Sequence, residues 1–196
     1  MQSTFIRTKF RIKKITVNNM KFRLIERNEI EKIRDIDRSE LIENVYYYKN
    51  KELSVVSEHH EISGWDPINL ENIITNLYTL FDRKGYFYGA FEKEKLVGIS
   101  VLDSDFIGIN KKTLLLDFLH IDRKYRKTGL GKSLFELAAK RAKELGAIKL
   151  YISATPSKNT VQFYFHIGCR LTEELNKELH ELEPEDIHLQ LDLNDF

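Results

Sequence analysis

RKTGLGKS, Arg126 to Ser133, places Gly129 and Gly131 just ahead of a lysine and a hydroxyl, between an apolar run and a long helical pattern. A strand, a glycine-bearing turn and a helix in that order bind anions. The first backbone N–H groups of a helix have no partner inside it, and its aligned peptide dipoles add partial positive charge at the same end. A phosphate is therefore the expected guest. The nucleotide loop G-x-x-x-x-G-K-[ST] is matched at Gly131, Lys132 and Ser133, but its first glycine position holds Arg126. Arginine is strained in the left-handed backbone that lets such a loop curl around a phosphate. The following strand, KLYISA, also ends without the Asp that would help to hold magnesium. The pattern points away from ATP and toward another phosphate-bearing ligand.

The elements that must hold this loop are legible on both sides. LLLDFLHI, Leu114 to Ile121, is an apolar run interrupted by one carboxylate, Asp117, as expected of a central strand covered on both faces. After the loop, Leu134, Ala138, Ala142 and Leu145 share one helical face, and Gly146 stands where a left-handed cap belongs. KLYISA (149–154) reads as a strand, TVQFYFHIG (160–168) as a second helix, and CRLT and DIHLQLDL as two closing strands. Upstream, FRLIE alternates like a half-buried strand, and Asn28 is read as the cap of a short helix burying Ile30 and Ile33. IDRSE (36–40) breaks the pattern, and VYYYKNKELSVV (45–56) reads as a hairpin turning at Lys49, Asn50 and Lys51. Asp66 and Pro67 open a helix with Leu70, Ile73, Ile74, Leu77 and Phe81 at helical spacing. A further hairpin covers Tyr86 to Leu102, turning at 93–95. No repeat or linker composition interrupts the chain, so residues 20–196 are expected to form a single domain.

Read as R-x-x-G-x-G, Arg126 to Gly131 resembles the pyrophosphate loop of the GNAT superfamily, the acyl-coenzyme A-dependent N-acyltransferases. LHIDRKYRKTGLGKSL resembles that family's core strand running into its loop and helix. ATPSKNTVQFYFHIGCRL resembles its next strand end and the helix that carries F-Y-x-x-x-G. The resemblance runs from about Gly85 to Asp192. It implies an α/β (α+β) GNAT fold: a mixed central sheet of about six to seven strands, flanked by helices and splayed at the core strand. It also implies an enzyme that takes acetyl-CoA as co-substrate and acetylates a primary amine, of a small molecule or of a protein or peptide, by direct attack in a ternary complex. The alternative is a non-catalytic module of the same fold that binds acyl-CoA or a protein partner.

Carried over by position, the resemblance gives the backbone N–H groups of Lys127, Thr128, Gly129, Leu130, Gly131 and Lys132 to the diphosphate, with Arg126 adding charge. Main-chain groups of Leu119, His120 and Ile121 would bond the pantetheine arm. Asn159 would hold that arm too, unless it is simply a helix cap. Tyr164 would be the general acid at the thioester sulfur, against the alternative that Phe163, Tyr164 and Phe165 are all core aromatics. Asp117 occupies a position where family members carry a base or a water-holding residue; alternation puts it on the side of Leu119 and Ile121, where burial would raise its pKa. Pairing with a Lys or Arg is the structural alternative. His120 points the other way and reads as packed. Residues 36–66 correspond to the acceptor wall, with Asp37, Arg38 and Glu40 as substrate contacts or as a solvated loop, and Tyr46, Tyr47, Tyr48, His59, His60 and Trp65 shaping the pocket.

Composition bounds the partners. Lys and Arg total 31 against 30 Asp and Glu among 196 residues, a net charge of +1, so no overall field favours nucleic acid or an anionic membrane. No apolar run approaches the roughly 20 residues that a spanning helix needs. Adjacent His59 and His60 point to opposite faces of a strand and have no third ligand, so no metal is expected. Cys169, the single cysteine, excludes an internal disulfide and reads as a small buried residue, suiting the cytoplasm. Residues 1–19 carry five basic and no acidic side chains, and are read as an edge strand or a disordered extension, with Met20 as an alternative start. A monomer or a homodimer is expected, the closing strands and the 86–102 hairpin being the segments that could pair between copies.

Overall fold

In the computed structural model, which describes residues 20–196, the run from Leu114 to Ile121 lies in the central, fourth strand of a seven-stranded mixed sheet. The reading of residues 1–19 lies outside the described residues. In chain order the elements begin with β1 (Lys21–Leu24), a 3-10 segment (Arg27–Asp35), β2 (Glu40–Lys49), β3 (Glu52–Ile62) and α1 (Pro67–Asp82). They continue through β4 (Tyr86–Glu92), β5 (Lys95–Ile107) and β6 (Thr113–Ile121), then α2 (Leu130–Glu144), β7 (Lys149–Ala154) and α3 (Lys158–His166). Last come β8 (Arg170–Leu171), α4 (Lys177–Leu182) and β9 (Ile187–Asp192). Seven strands form one sheet in the order β1-β4-β5-β6-β7-β9-β8, and β2 and β3 form a separate hairpin.

Helices cover both faces of the sheet because each presents an apolar stripe. On one face Leu70, Ile74, Leu77 and Leu80 of α1 pack with Ile30 and Ile33 of the 3-10 segment against Phe87, Ile99 and Val101. On the other, Phe135, Ala138, Ala139 and Ala142 of α2 and Val161 of α3 pack against Leu102, Leu114, Leu116, Leu150 and Ile152. The expected signals hold for α1, whose Asp66 carboxylate accepts from the Asn69 N–H at 2.8 Å, and for Gly146, at φ 91° after α2.

Four local expectations are corrected. The short helix after β1 is 3-10 and is capped at Glu26, not Asn28: the Glu29 carboxylate reaches back to the Glu26 N–H at 3.2 Å. The first hairpin runs from Glu40 to Ile62 around Asn50 and Lys51, so Glu40 belongs to β2 rather than to the preceding break. Charged and histidine positions along β3 hid that length, since most of them stay in solvent. A helix, α4, intervenes between the closing strands. Finally, β1 covers β4 from Lys21 to Leu24, which leaves the 86–102 hairpin inside the sheet and not at an edge where another copy could pair.

The feature that makes a site is a failure of pairing. β6 is bonded to β5 as far as Ile121, but to β7 only over Thr113–Leu115 against Lys149–Tyr151. β7 then stays with β9 up to Ala154. A wedge opens between β6 and β7, leaving the outer half of β6 with main-chain groups free on that side. The hairpin closes the far side: Val45 bridges to Ser157, and the Tyr46 N–H donates to the Pro156 carbonyl at 2.8 Å.

Candidate functional site

The loop at the end of β6 is built to leave its amides free. Lys127 and Gly129 both lie in the left-handed region, at φ 61° and 94°, and Gly129 stands at the N-cap of α2. The Thr128 hydroxyl donates to the Tyr125 carbonyl at 2.6 Å, and the Tyr125 hydroxyl to Glu92 at 2.7 Å, which anchors the turn from below. No hydrogen bond from the backbone N–H groups of Lys127 to Lys132 is found among the described residues. A Cβ built on Gly129 would meet nothing within 4 Å, so open space lies over those donors; one on Gly131 would touch the Phe163 ring at 3.4 Å. Free N–H groups, a helix N-terminus and room above them fit a diphosphate.

Arg126 is held by three groups of the chain. Its guanidinium donates to the Ile121 carbonyl at 3.2 Å and the Arg38 carbonyl at 3.1 Å, and pairs with Glu40 at 3.2 Å. Glu40 also accepts from the Asn159 amide at 3.3 Å. Glu40 thus joins the loop to α3 across the mouth of the wedge. Asn159 is not the cap of α3, because the Ser157 hydroxyl accepts from the Thr160 N–H in that role.

Tyr164 lies on the buried side of α3. Its ring packs edge-on against Phe135 and Phe163 at 6.0 and 5.1 Å, and it is 6% exposed, so the core-aromatic reading describes the ring. Its hydroxyl has no hydrogen-bond partner among the described residues. Burial raises that phenol well above its ordinary value, with Cys169 and Asp186 adding to the effect, so it stays protonated. Cys169 is buried as expected, its thiol pushed up to about 12 by burial, and the neutral thiol is inert.

Asp117 faces away from the side that alternation predicts. Val101 pairs with Phe118 and Leu102 with Leu116, so Asp117 is the extra residue of a β-bulge. The bulge shifts the phase by one and sets Asp117 with Phe118 and His120, toward Asp103 and Arg83, while Leu119 and Ile121 turn to the α2 face. The residue is exposed yet its carboxyl is ringed by protein; that surrounding, reinforced by Asp103 and opposed by Arg83, lifts it to about 6. The expected Lys or Arg partner belongs to Asp103 instead, which takes Arg83 at 2.7 Å.

The acceptor wall sorts into used and unused groups. Asp37 spends its carboxylate on the Ser39 N–H at 2.9 Å. Trp65 donates its indole N–H to the Ile36 carbonyl at 2.7 Å and lies 5.1 Å from the His120 ring, which in turn is 4.3 Å from Phe118. Arg38 sits over Trp65 at 4.9 Å. Packed protein first, then Arg38 and Arg126, lowers His120 to about 3, so it is a neutral, packed histidine as expected. Tyr46 packs on Phe165, whereas Tyr47 and Tyr48 are exposed, with Tyr47 and His60 both bound to Glu58. Among the described residues no group of three His, Cys, Asp or Glu side chains could hold a metal, and no helix is long and apolar enough to cross a membrane.

Sequence reasoning passed over Asp186 and Ser153. The Ser153 hydroxyl, on the wedge end of β7, donates to Asp186 at 2.9 Å, and burial raises the Asp186 carboxyl to about 6. The one available signal was a serine among the apolar residues at the end of β7, and the fold supplies the carboxylate from the entrance of β9.

The comparisons with known proteins agree with this geometry. No curated protein matches the chain by sequence. Its fold is similar to that of nourseothricin acetyltransferase, with a TM-score of 0.68 at 18% identity over 89% of this chain and 99% of that one. It is similar also to a protein described as a streptothricin acetyltransferase from Bacillus anthracis str. Ames, in complex with acetyl coenzyme A. There the TM-score is 0.64 at 19% identity over 88% and 98% of the two chains. A third similar structure is the PaiA N-acetyltransferase from Thermoplasma acidophilum with coenzyme A, at 0.58 and 16% over 88% and 98%. Residues 43–168, which hold the wedge, the loop and both flanking helices, match the Acetyltransferase (GNAT) family. The chain belongs to the GNAT family of acetyltransferases.

Proposed function

We propose that this acetyltransferase moves the acetyl group of acetyl-CoA to a primary amine by direct attack, with both substrates bound together in the wedge between β6 and β7. The observation that supports the reading is the wedge itself: β6 leaves β7 after Leu115 and runs into a loop with six backbone N–H groups that have no partner among the described residues, and Tyr164 is buried on the neighbouring α3. Two structures of similar fold hold acetyl coenzyme A and coenzyme A, which supports the same carrier here. The diphosphate lies on the N–H groups of Lys127 to Lys132, and the pantetheine arm bonds to the main chain of Leu119, His120 and Ile121, which β7 leaves unpaired. Arg126 acts chiefly as a brace, and Asn159 reaches the arm only on leaving Glu40.

The proton balance uses two side chains. A neutral amine attacks the thioester carbon while a backbone N–H near Leu119 steadies the developing oxyanion. The nitrogen gives its proton to Asp117, which at neutral pH is ionised and so can accept it. As the C–S bond breaks, the thiolate takes the phenolic proton of Tyr164, a group that burial keeps in the acid form. Tyr164→Phe is expected to lower turnover by about 10²-fold or more while changing acetyl-CoA affinity less than about twofold. The assay is coenzyme A thiol release over a panel of amines, with binding followed by thermal shift against ATP as the control. Unchanged turnover removes Tyr164 from its role; tight acetyl-CoA binding with no amine turned over identifies a non-catalytic binding module instead.

A further inference from the structure

Arg38 is a charged group that no side chain among the described residues pairs with directly. Its guanidinium is half-buried over the Trp65 ring, and among the described residues it has neither an ion-pair partner nor a hydrogen-bond acceptor. Residues 1–19 contain no Asp or Glu, so that stretch holds no carboxylate for it either. Glu40, the acidic side chain whose charge acts on Arg38, is committed to Arg126 and Asn159. A guanidinium taken partly out of water without compensation is costly, and such a group persists where a ligand completes it. Burial and the nearby Arg126 lower the Arg38 pKa from its ordinary value, and Glu40 opposes them only in part.

Arg38 is also fixed in place. Its carbonyl accepts from Arg126, and the indole beneath its side chain is pinned through the Ile36 carbonyl. Trp65 rests on Phe118 and His120, the side chains of β6 that share the face of Asp117. The free amides of the loop belong to the start of α2, whose Leu130 and Leu134 pack with Leu119 and Ile121 on the opposite face. The guanidinium therefore lies on the Trp65, Phe118 and His120 side of β6, opposite the face that packs on α2, and within electrostatic reach of Arg126.

We propose that Arg38 is the carboxylate-binding group of the acceptor site, so that the amine acetylated by this protein is one that carries a carboxylate. The planar fork of the guanidinium matches the two oxygens of that group, and Trp65 holds the plane. Asp117 then meets the amine end of a molecule whose anionic end is at Arg38. This rests on the acetyltransferase reading above and adds the substrate class.

The test is coenzyme A release with matched pairs of amines: glutamate, lysine and 4-aminobutyrate, each against the same compound with its carboxylates converted to carboxamides. Wild type, Arg38→Gln and Arg38→Lys are compared, with acetyl-CoA affinity measured on each. Wild type should use a carboxylate-bearing member at least about tenfold better than its amide, the discrimination of one charge-assisted contact. Arg38→Gln should raise KM for that member by about 10- to 100-fold, leave its amide unaffected and keep acetyl-CoA affinity within about twofold. Arg38→Lys should restore part of the loss, since it keeps the charge without the fork. Equal use of both members, preference for the amides, or a loss of acetyl-CoA affinity in Arg38→Gln matching the loss for the acceptor overturns the proposal, the last by assigning Arg38 to the phosphates of the carrier. Turnover of amides alone sinks only this inference. No turnover of any amine with acetyl-CoA still bound removes the transferase reading and this one with it.

Discussion

Asp117 carries the clearest pH signature in the site. Its carboxyl stands at about 6 against an ordinary 3.8, because surrounding protein and Asp103 penalise the charge. If it receives the amine proton, kcat/KM should climb with pH through about 6, and Asp117→Asn should remove that limb and lower activity by about 10²-fold. A titration curve unchanged in the variant would exclude it as the base. The same shift has a stability consequence of fixed sign. Between 3.8 and about 6 the folded chain binds a proton that the unfolded chain has released, so Asp117 makes the fold less stable as pH rises through that window. Asp117→Asn lacks this penalty, and its Tm relative to wild type should increase from pH 4 to 6.5 and level off above; a constant difference would contradict the shift. The residue itself was visible as the one carboxylate in an apolar strand, but the face it takes was not. Phase along β6 depends on the bulge opposite Val101 and Leu102, a cross-strand register that no pattern within Leu114–Ile121 records.

At the level of elements, α2 and α3 approach the wedge with their N-termini prepared in different ways. α2 begins at Gly129, left-handed at φ 94° with nothing near its Cβ position. Gly129→Ala should therefore cost about 1 to 2 kcal/mol through backbone strain alone and weaken acetyl-CoA binding, while turnover at saturating acetyl-CoA survives. Calorimetric binding and thermal melts check both halves; an alanine that binds the carrier as well as glycine would mean the loop amides do not hold it. α3 begins at buried Ser157, whose hydroxyl also contacts Thr160 at 2.9 Å. Ser157→Ala should lose about 1 kcal/mol, a fall in Tm of about 2–4 °C. Both helices were readable, since Leu134, Ala138 and Ala142 recur at helical spacing and F-Y-x-x-x-G marks the second. The first hairpin was read too short because β2 and β3 bury little along their outer lengths, and alternation is weak where neither face meets a core.

Across the whole molecule, the sheet is continuous from β1 to β6 and from β7 to β8, and the two parts are joined by a short parallel pairing at Thr113–Leu115. A ligand seated in the wedge bridges the parts and binds only the folded chain. Acetyl-CoA at about 100 times its Kd should then add about 2.7 kcal/mol, raising Tm by about 5–10 °C, whereas ATP should give a far smaller shift. The reverse order of shifts would return the loop to nucleotide binding. The hairpin of β2 and β3 seals the wedge from the α3 side, and Glu40 ties loop, strand and helix there through two side-chain contacts. This explains why Glu40 and Asn159, far apart in sequence, share one function as a tether.

What the sequence determined by itself is local: the glycine-bearing turn at Arg126–Ser133, the faces of α1 and α2, and the order of elements on which the family resemblance rests. These follow from residues close along the chain, where spacing alone decides which side chains share a face and which amides go unpaired. Only the tertiary structure decided that β6 and β7 part after Leu115, that Asp117 turns toward Arg83, that Arg38 stands unanswered over Trp65, and that Asp186 reaches Ser153. Each of these is a meeting of segments distant in the chain, fixed by register and packing after the whole sheet has closed.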